Sequence, residues 1–307
     1  MILNFVILIS VLFSTLSHAH LQKKIRGIRV DPGYFYETYP NLSAKEIATT
    51  LVNKAKSSGV NTLFVYAYSS VYGAYYKTSY KLTRMENGFG SLNIFRLLTD
   101  EAKRNGLAVI GVIPVNDFKN VWEAKKKWRA KNKLGFDYIP NFDVFLLSAW
   151  HPDFKIWFSG FVDDLLLKNP SVDGVEALEP TIDYSWSESS DFNSVATIKF
   201  KSLYPIGLLR DSNWLKVRAQ GLTDLIGIMN ERVHLFKKKS FVVQTWDAKP
   251  NGQLIDSNEL KNRTGFDFEG IMNLNGIYKM DYVMAEIIWQ QWASEFGTQL
   301  LIQIPAA

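Results

Sequence analysis

Three acids stand in one short apolar stretch, Val172 to Leu178 and its exit: Asp173, Glu176 and Glu179. Asp183, Tyr184 and Trp186 follow at once, and Asn169-Pro170 and Pro180 punctuate the two ends. An extended segment bounded in this way reads as a strand feeding a loop. Strand side chains alternate between faces, so Glu176 shares a face with Gly174 and Leu178 while Glu179 stands at the exit. Charges are rarely left in a core, so such acids serve either an ion pair or chemistry. Two carboxylates facing each other across a bond, with rings beneath, are what glycoside hydrolysis needs.

The elements that must position these acids alternate regularly. Ile25 to Asp31 reads as a first strand, Asn61 to Tyr68 as a second and Leu107 to Pro114 as a third. Val172 to Leu178 is the fourth, Ser240 to Trp246 the fifth, Asp281 to Ile288 the sixth and Gln299 to Pro305 the seventh. Between them the 3.6-residue periodicity predicts helices. One is opened by the capping box Ser43-x-x-Glu46, one runs from Leu92 to Lys103, one starts at Pro152 and a long one runs from Asn213 to Phe236. Asn116 to Asp143 reads as an extended loop with a helical piece, Ser187 to Tyr204 is left unassigned, and Lys249 to Lys279 reads as loop. Strand-helix alternation with nearly continuous apolar strands predicts an α/β fold with a parallel sheet. Repeating units with long loops after the strands favour a (β/α)8 TIM-like barrel, and no strand is followed by a dinucleotide fingerprint. Seven strands are counted, so the last unit of such a barrel is either missing or unrecognised.

In a parallel barrel the active centre lies at the strand C-termini. The residues expected there are Asp31, Tyr66, Tyr68, Asn116, Asp117, Glu176, Glu179, Trp246, Asp247 and Glu286. Nine of the fourteen tyrosines fall between Tyr34 and Tyr80, after the first two strands. Half of them can be assigned to packing; the clustering favours a sugar platform for the rest.

Composition narrows the chemistry. The chain has 307 residues, 47% hydrophobic and 21% charged, with net charge +5. It has no cysteine and four histidines, of which only His151 and His234 lie clear of the N-terminus. Thiolate chemistry is excluded, and a His-rich metal site or Ser-His-Asp triad is disfavoured; no cofactor or metal is expected. The basic runs Lys125 to Lys127 and Lys237 to Lys239 read as solvated surface, and no nucleic-acid motif is present. The first 22 residues carry no Asp, Glu, Lys or Arg, and Ile2 to Leu16 is followed by Ser17-His18-Ala19. That pattern predicts a signal peptide over residues 1–19 and a barrel over 20–307, exported to the periplasm or beyond, with no membrane span after cleavage.

The segment LSAWHPDFKIWFSGFVDDLLLKNPSVDGVEALEP resembles the signature region of glycoside-hydrolase-like TIM barrels. These include family-10-like bacterial glycosidase domains and the hydrolase half of the enzyme that processes poly-β-1,6-N-acetylglucosamine. The carriers are His151-Pro152 at a helix start and Val172-Asp173-Gly174-Val175 in the strand. In those proteins the strand ends in one or two aspartates; here Glu179 takes the first place and Pro180 the second. The resemblance implies a cell-envelope or extracellular polysaccharide, or an oligosaccharide, as substrate. On this basis Glu179 is the candidate general acid, Glu286 its partner and Glu176 the reserve. Asp31, Asp183 and Asp247 are expected to hold sugar hydroxyls, and Tyr66, Tyr68, Trp186 and Trp246 to line subsites. Asp173 is expected to be structural. Pro180 also admits an alternative, a non-catalytic carbohydrate-binding barrel of a polysaccharide export or matrix system.

Overall fold

The computed structural model describes residues 25–70, 72–83, 92–139, 144–178, 180, 190–244, 268–272 and 300–303. Its centre is a seven-stranded sheet. The strands are β1 (Gly27–Val30), β2 (Thr62–Tyr66), β5 (Ala108–Pro114), β6 (Gly174–Leu178), β7 (Lys239–Gln244), β8 (Phe268–Met272) and β9 (Leu300–Gln303). A small antiparallel pair, β3 (Tyr68–Ser69) and β4 (Gly73–Ala74), follows β2. The large sheet is parallel at every pairing and its strands are ordered as they occur in the chain, β1-β2-β5-β6-β7-β8-β9. A doubly wound sheet reverses its order at a switch point; this sheet has no reversal.

The helices are α1 (Pro32–Thr38), α2 (Ala44–Ser57), α3 (Ile94–Arg104), α4 (Lys119–Ala124), α5 (Pro152–Lys168), α6 (Ser194–Leu203) and α7 (Ser212–Leu235). The capping box forms as expected: Glu46 N donates to Ser43 Oγ at 3.3 Å, and Ser43 N donates to Glu46 Oε2 at 2.8 Å. Pro152 occupies the first turn of α5, where its missing N–H is harmless. The buried stripe of α5, including Phe154, Trp157, Phe161 and Leu165, packs with α2, α3 and α7 against the outward residues of the strands, such as Val65, Val109 and Val175.

The opposite face of the sheet has its own small core of Phe64, Ile110, Val112 and Phe241, with Tyr66 and Leu178 against it. Arg29 and Glu176 also meet on this side, Nη2 to Oε1 at 2.5 Å. They belong to β1 and β6, three strands apart, or about 14 Å at the usual spacing. Side chains stand roughly perpendicular to a sheet, so this ion pair requires the sheet to curl and bring β1 and β6 towards each other.

The sheet corrects one expectation from the sequence. Its sixth strand is Phe268–Met272, inside the segment read as loop. It is flanked by β7 (Phe241 opposite Phe268) and β9 (Gly270 opposite Leu301), so pairing on both sides defines a strand that its side-chain pattern does not announce. Asp281 to Ile288, read as that strand, lies outside the described residues, as do residues 1–24. Two further elements were not assigned from sequence. Helix α1 follows Asp31, whose Oδ1 accepts the Gly33 N–H at 2.9 Å. Helix α6 follows Asn193, whose side chain accepts the Val195 N–H at 3.0 Å.

Candidate active site

All strands of the large sheet run the same way, so the C-terminal ends of β2, β5 and β6 open on one side. A cleft of about 200 Å³ lies there. Tyr66, Tyr68, Ser69 and Ser70 border it from β2 and the hairpin, Pro114 to Asp117 from the end of β5, and Leu178 from the end of β6.

Asp117 is the cleft's carboxyl group among the described residues. It lies three residues past β5, and its Oδ1 accepts the Phe145 N–H at 2.7 Å. Burial pushes its pKa up to about 6, against the smaller opposing effects of that bond and of a hydrogen bond with Ser70. A carboxyl group with such a pKa exchanges its proton near neutrality, the property required of a general acid or base. Asn116 beside it is buried, with its amide directed to the Leu147 carbonyl at 3.4 Å.

The inner face of the sheet supports the cleft from below. Tyr66 is half-buried, with the Arg29 guanidinium 5.8 Å from its ring centroid. Arg29 in turn holds Glu176, which is fully buried two residues, or about 7 Å, below Leu178. Glu176 therefore answers to the ion-pair reading of an acid in a strand; it does not border the cleft.

Other expected residues are distributed as follows. Asp31 caps α1, and its charge adds to burial in raising the pKa of Tyr75. Tyr68 borders the cleft, but its ring is fully buried against Phe118 at 5.1 Å and Phe161 at 5.4 Å. Tyr75 and Tyr76 are core residues, with Tyr76 Oη donating to Asp164 at 3.0 Å, and Tyr80 Oη donates to the Trp157 carbonyl at 2.9 Å. Packing thus accounts for these four tyrosines, and Tyr66 is the ring best placed at the cleft. Asp173 is structural: it pairs with Lys103 at 2.7 Å and accepts the Val109 N–H at 2.8 Å. Glu179, Glu286, Asp183, Trp186, Trp246 and Asp247 lie outside the described residues. His151 is the N-cap residue of α5, its ring tilted against Trp128 at 5.6 Å, and burial lowers its pKa. No group of three or more potential ligands for a metal gathers among the described residues.

Asp117 was legible only as a strand-end acid. Its special environment comes from burial by segments distant in the chain, which no local pattern connects to it.

Solved structures share this fold. The chain is similar to the PgaB (BpsB) glycoside hydrolase domain from Bordetella bronchiseptica, with a TM-score of 0.67 at 15% identity, covering 92% of this chain and 84% of that one. The two share a fold. Similarity extends to a β-galactosidase from the psychrophilic Marinomonas ef1 (TM-score 0.59, 8% identity) and to α-L-fucosidase isoenzyme 2 from Paenibacillus thiaminolyticus (0.56, 13%). Each of these is matched over 81% of this chain but only 40% of its own length. No family model matches the sequence, and no curated protein matches it.

Proposed function

We propose that the protein is an exported glycoside hydrolase of the (β/α)8-barrel type, acting on a cell-envelope or extracellular polysaccharide through two carboxylates. The observation that carries this reading is Asp117, a carboxyl with its pKa pushed up to about 6, in a cleft at the C-terminal ends of parallel strands. The similarity of fold to glycoside hydrolase domains supports it. In this reading Asp117 gives its proton to the glycosidic oxygen as the bond to the anomeric carbon breaks. Glu179 follows Leu178 of the cleft wall directly and is the second carboxylate; Glu286 is held as the other candidate. The second carboxylate either takes the proton of an attacking water or bonds the anomeric carbon until water releases it. Tyr66 supplies a ring beside the sugar.

The test is release of reducing ends from a panel of bacterial and plant polysaccharides. Asp117→Asn should lower turnover by about 10²-fold or more, the usual scale for general acid catalysis. Full activity in Asp117→Asn removes Asp117 from the chemistry. Full activity in both Glu179→Gln and Glu286→Gln removes the assigned second acid. Pro180, standing where the sequence resemblance implies a second acid, favours the binding-barrel alternative; a glycan bound tightly and recovered intact after long incubation would establish it.

A further inference from the structure

The excursion between β5 and α5 has two properties that the cleft does not use. Between Lys119 and Ile139, seven Lys and Arg face only Glu123 and Asp137, a surplus of five positive charges. Asp117 and Asp143, which flank this stretch, bring the whole excursion to +3, still the larger part of the chain's net +5. Lys125, Lys126, Lys127 and Lys133 are all exposed.

The second property is an apolar tip. Leu134, Phe136 and Ile139 are 80%, 68% and 69% exposed. Single exposed apolar residues are ordinary; here Leu134 and Phe136 share one turn, and Ile139 follows just past the stem. Nor is the turn loose. Asn132 Oδ1 accepts the N–H of Leu134 at 2.9 Å and of Phe136 at 3.1 Å, and Gly135 takes the left-handed conformation at φ 82°. Below the tip, Asp137 pairs with both Arg129 and Lys131. The acid that would otherwise offset the lysines is thus used to hold the stem, and the turn presents its apolar side chains to water.

We propose that this excursion is a docking device for an anionic phospholipid surface. Leu134 and Phe136 enter the boundary between headgroups and acyl chains, and the lysines pair with the headgroups. Apolar insertion joined to a cationic cluster is the combination that holds peripheral proteins on such surfaces. A hydroxylated or anionic polymer would use the lysines but has no place for the aliphatic tip. Because the excursion begins beside Asp117, docking would keep the cleft close to the membrane surface. Docking does not depend on hydrolysis, and its test needs no enzymatic activity.

The test uses the full chain and co-sedimentation with phosphatidylcholine vesicles, with and without phosphatidylglycerol. Residues 2–16 are the same in every variant, so differences report the excursion. Binding should require phosphatidylglycerol and weaken steeply from about 0.1 M to about 1 M salt, as the Debye length falls from ~10 to ~3 Å. Replacing Lys125, Lys126 and Lys127 together by Gln should weaken it on the order of a hundredfold. Leu134→Ser with Phe136→Ser should weaken it at least about tenfold, with an unchanged thermal midpoint because both side chains are exposed. Equal binding to both vesicle types, or wild-type binding by the tip variant, overturns the proposal. So does a tip variant whose only change is its mass in light scattering, which would make the partner a second copy of this chain. Lysine-dependent binding of alginate without vesicle binding also overturns it.

Discussion

Replacing Asp117 by asparagine is expected to raise stability and abolish proton transfer in the same molecule. The free carboxyl has a pKa of 3.8, and burial in the cleft raises it to about 6. Below pH 3.8 the group is neutral in both folded and unfolded chains and carries no penalty. As pH rises through this interval the unfolded chain ionises while the folded one holds its proton, so folding loses stability up to about pH 6 and no further. At about 1.36 kcal/mol per pH unit, the folded state above pH 7 bears roughly 3 kcal/mol of destabilisation from this group. Asparagine never ionises and escapes it, and like the protonated acid it accepts the Phe145 N–H as a neutral group. The net gain is about 3 kcal/mol at pH 8, or roughly 5 °C in Tm for a chain of this length. It should shrink steadily to nothing as pH falls to about 4. Thermal or urea unfolding of both proteins at about pH 8, 6 and 4 measures this. An Asp117→Asn variant no more stable than wild type at the highest pH, or a difference independent of pH, would refute the placement of Asp117 in a desolvated cleft.

Three further outcomes follow from the same geometry. Ser70→Ala removes a hydrogen bond that favours the ionised Asp117, so the alkaline limb of the pH–rate profile should move to higher pH; a profile that stays fixed separates Ser70 from the reacting acid. Arg29→Met leaves Glu176 buried without its guanidinium and should cost about 3 kcal/mol in urea unfolding, most of it recovered in the double variant with Glu176→Leu; equal stability of the two proteins would argue against the pair. In Gly174→Ala the new methyl would collide with the Lys239 backbone carbonyl at the pairing of β6 with β7, and a loss of about 1–3 kcal/mol is expected; a silent substitution there would contradict the register.

Local signals in the sequence were the ones most faithfully realised. Ser43 and Glu46 cap α2 because both partners lie within four residues. Ala108–Pro114 forms a buried strand, one residue shorter than expected, because nearly every side chain in it is apolar. Phe268–Met272 was obscured by Glu269 and Gly270, and its strand character comes from neighbours on both sides. Tyr75 and Tyr76 resembled a sugar platform because sequence shows where tyrosines cluster and not whether they turn inward; in the fold they are fully buried. Asp31-Pro32 carried an N-cap and first-turn proline signal for α1 that the short aromatic run after it masked. The least legible feature was the environment of Asp117, since Phe145 lies 28 residues away along the chain.

The chain-ordered sheet has a consequence for how the molecule is made. Each of β2, β5 and β6 finds its partner already synthesised, so the first half can assemble as it emerges, one strand at a time. The Arg29–Glu176 pair is the exception, closing a separation of 147 residues. Until β6 arrives, Arg29 waits on the first strand for the carboxylate that will neutralise it. The pair thus acts as a latch on assembly order: its charges come together only after three intervening crossovers have been laid down correctly, and a chain with one strand out of register would hold the two ions apart in an apolar interior.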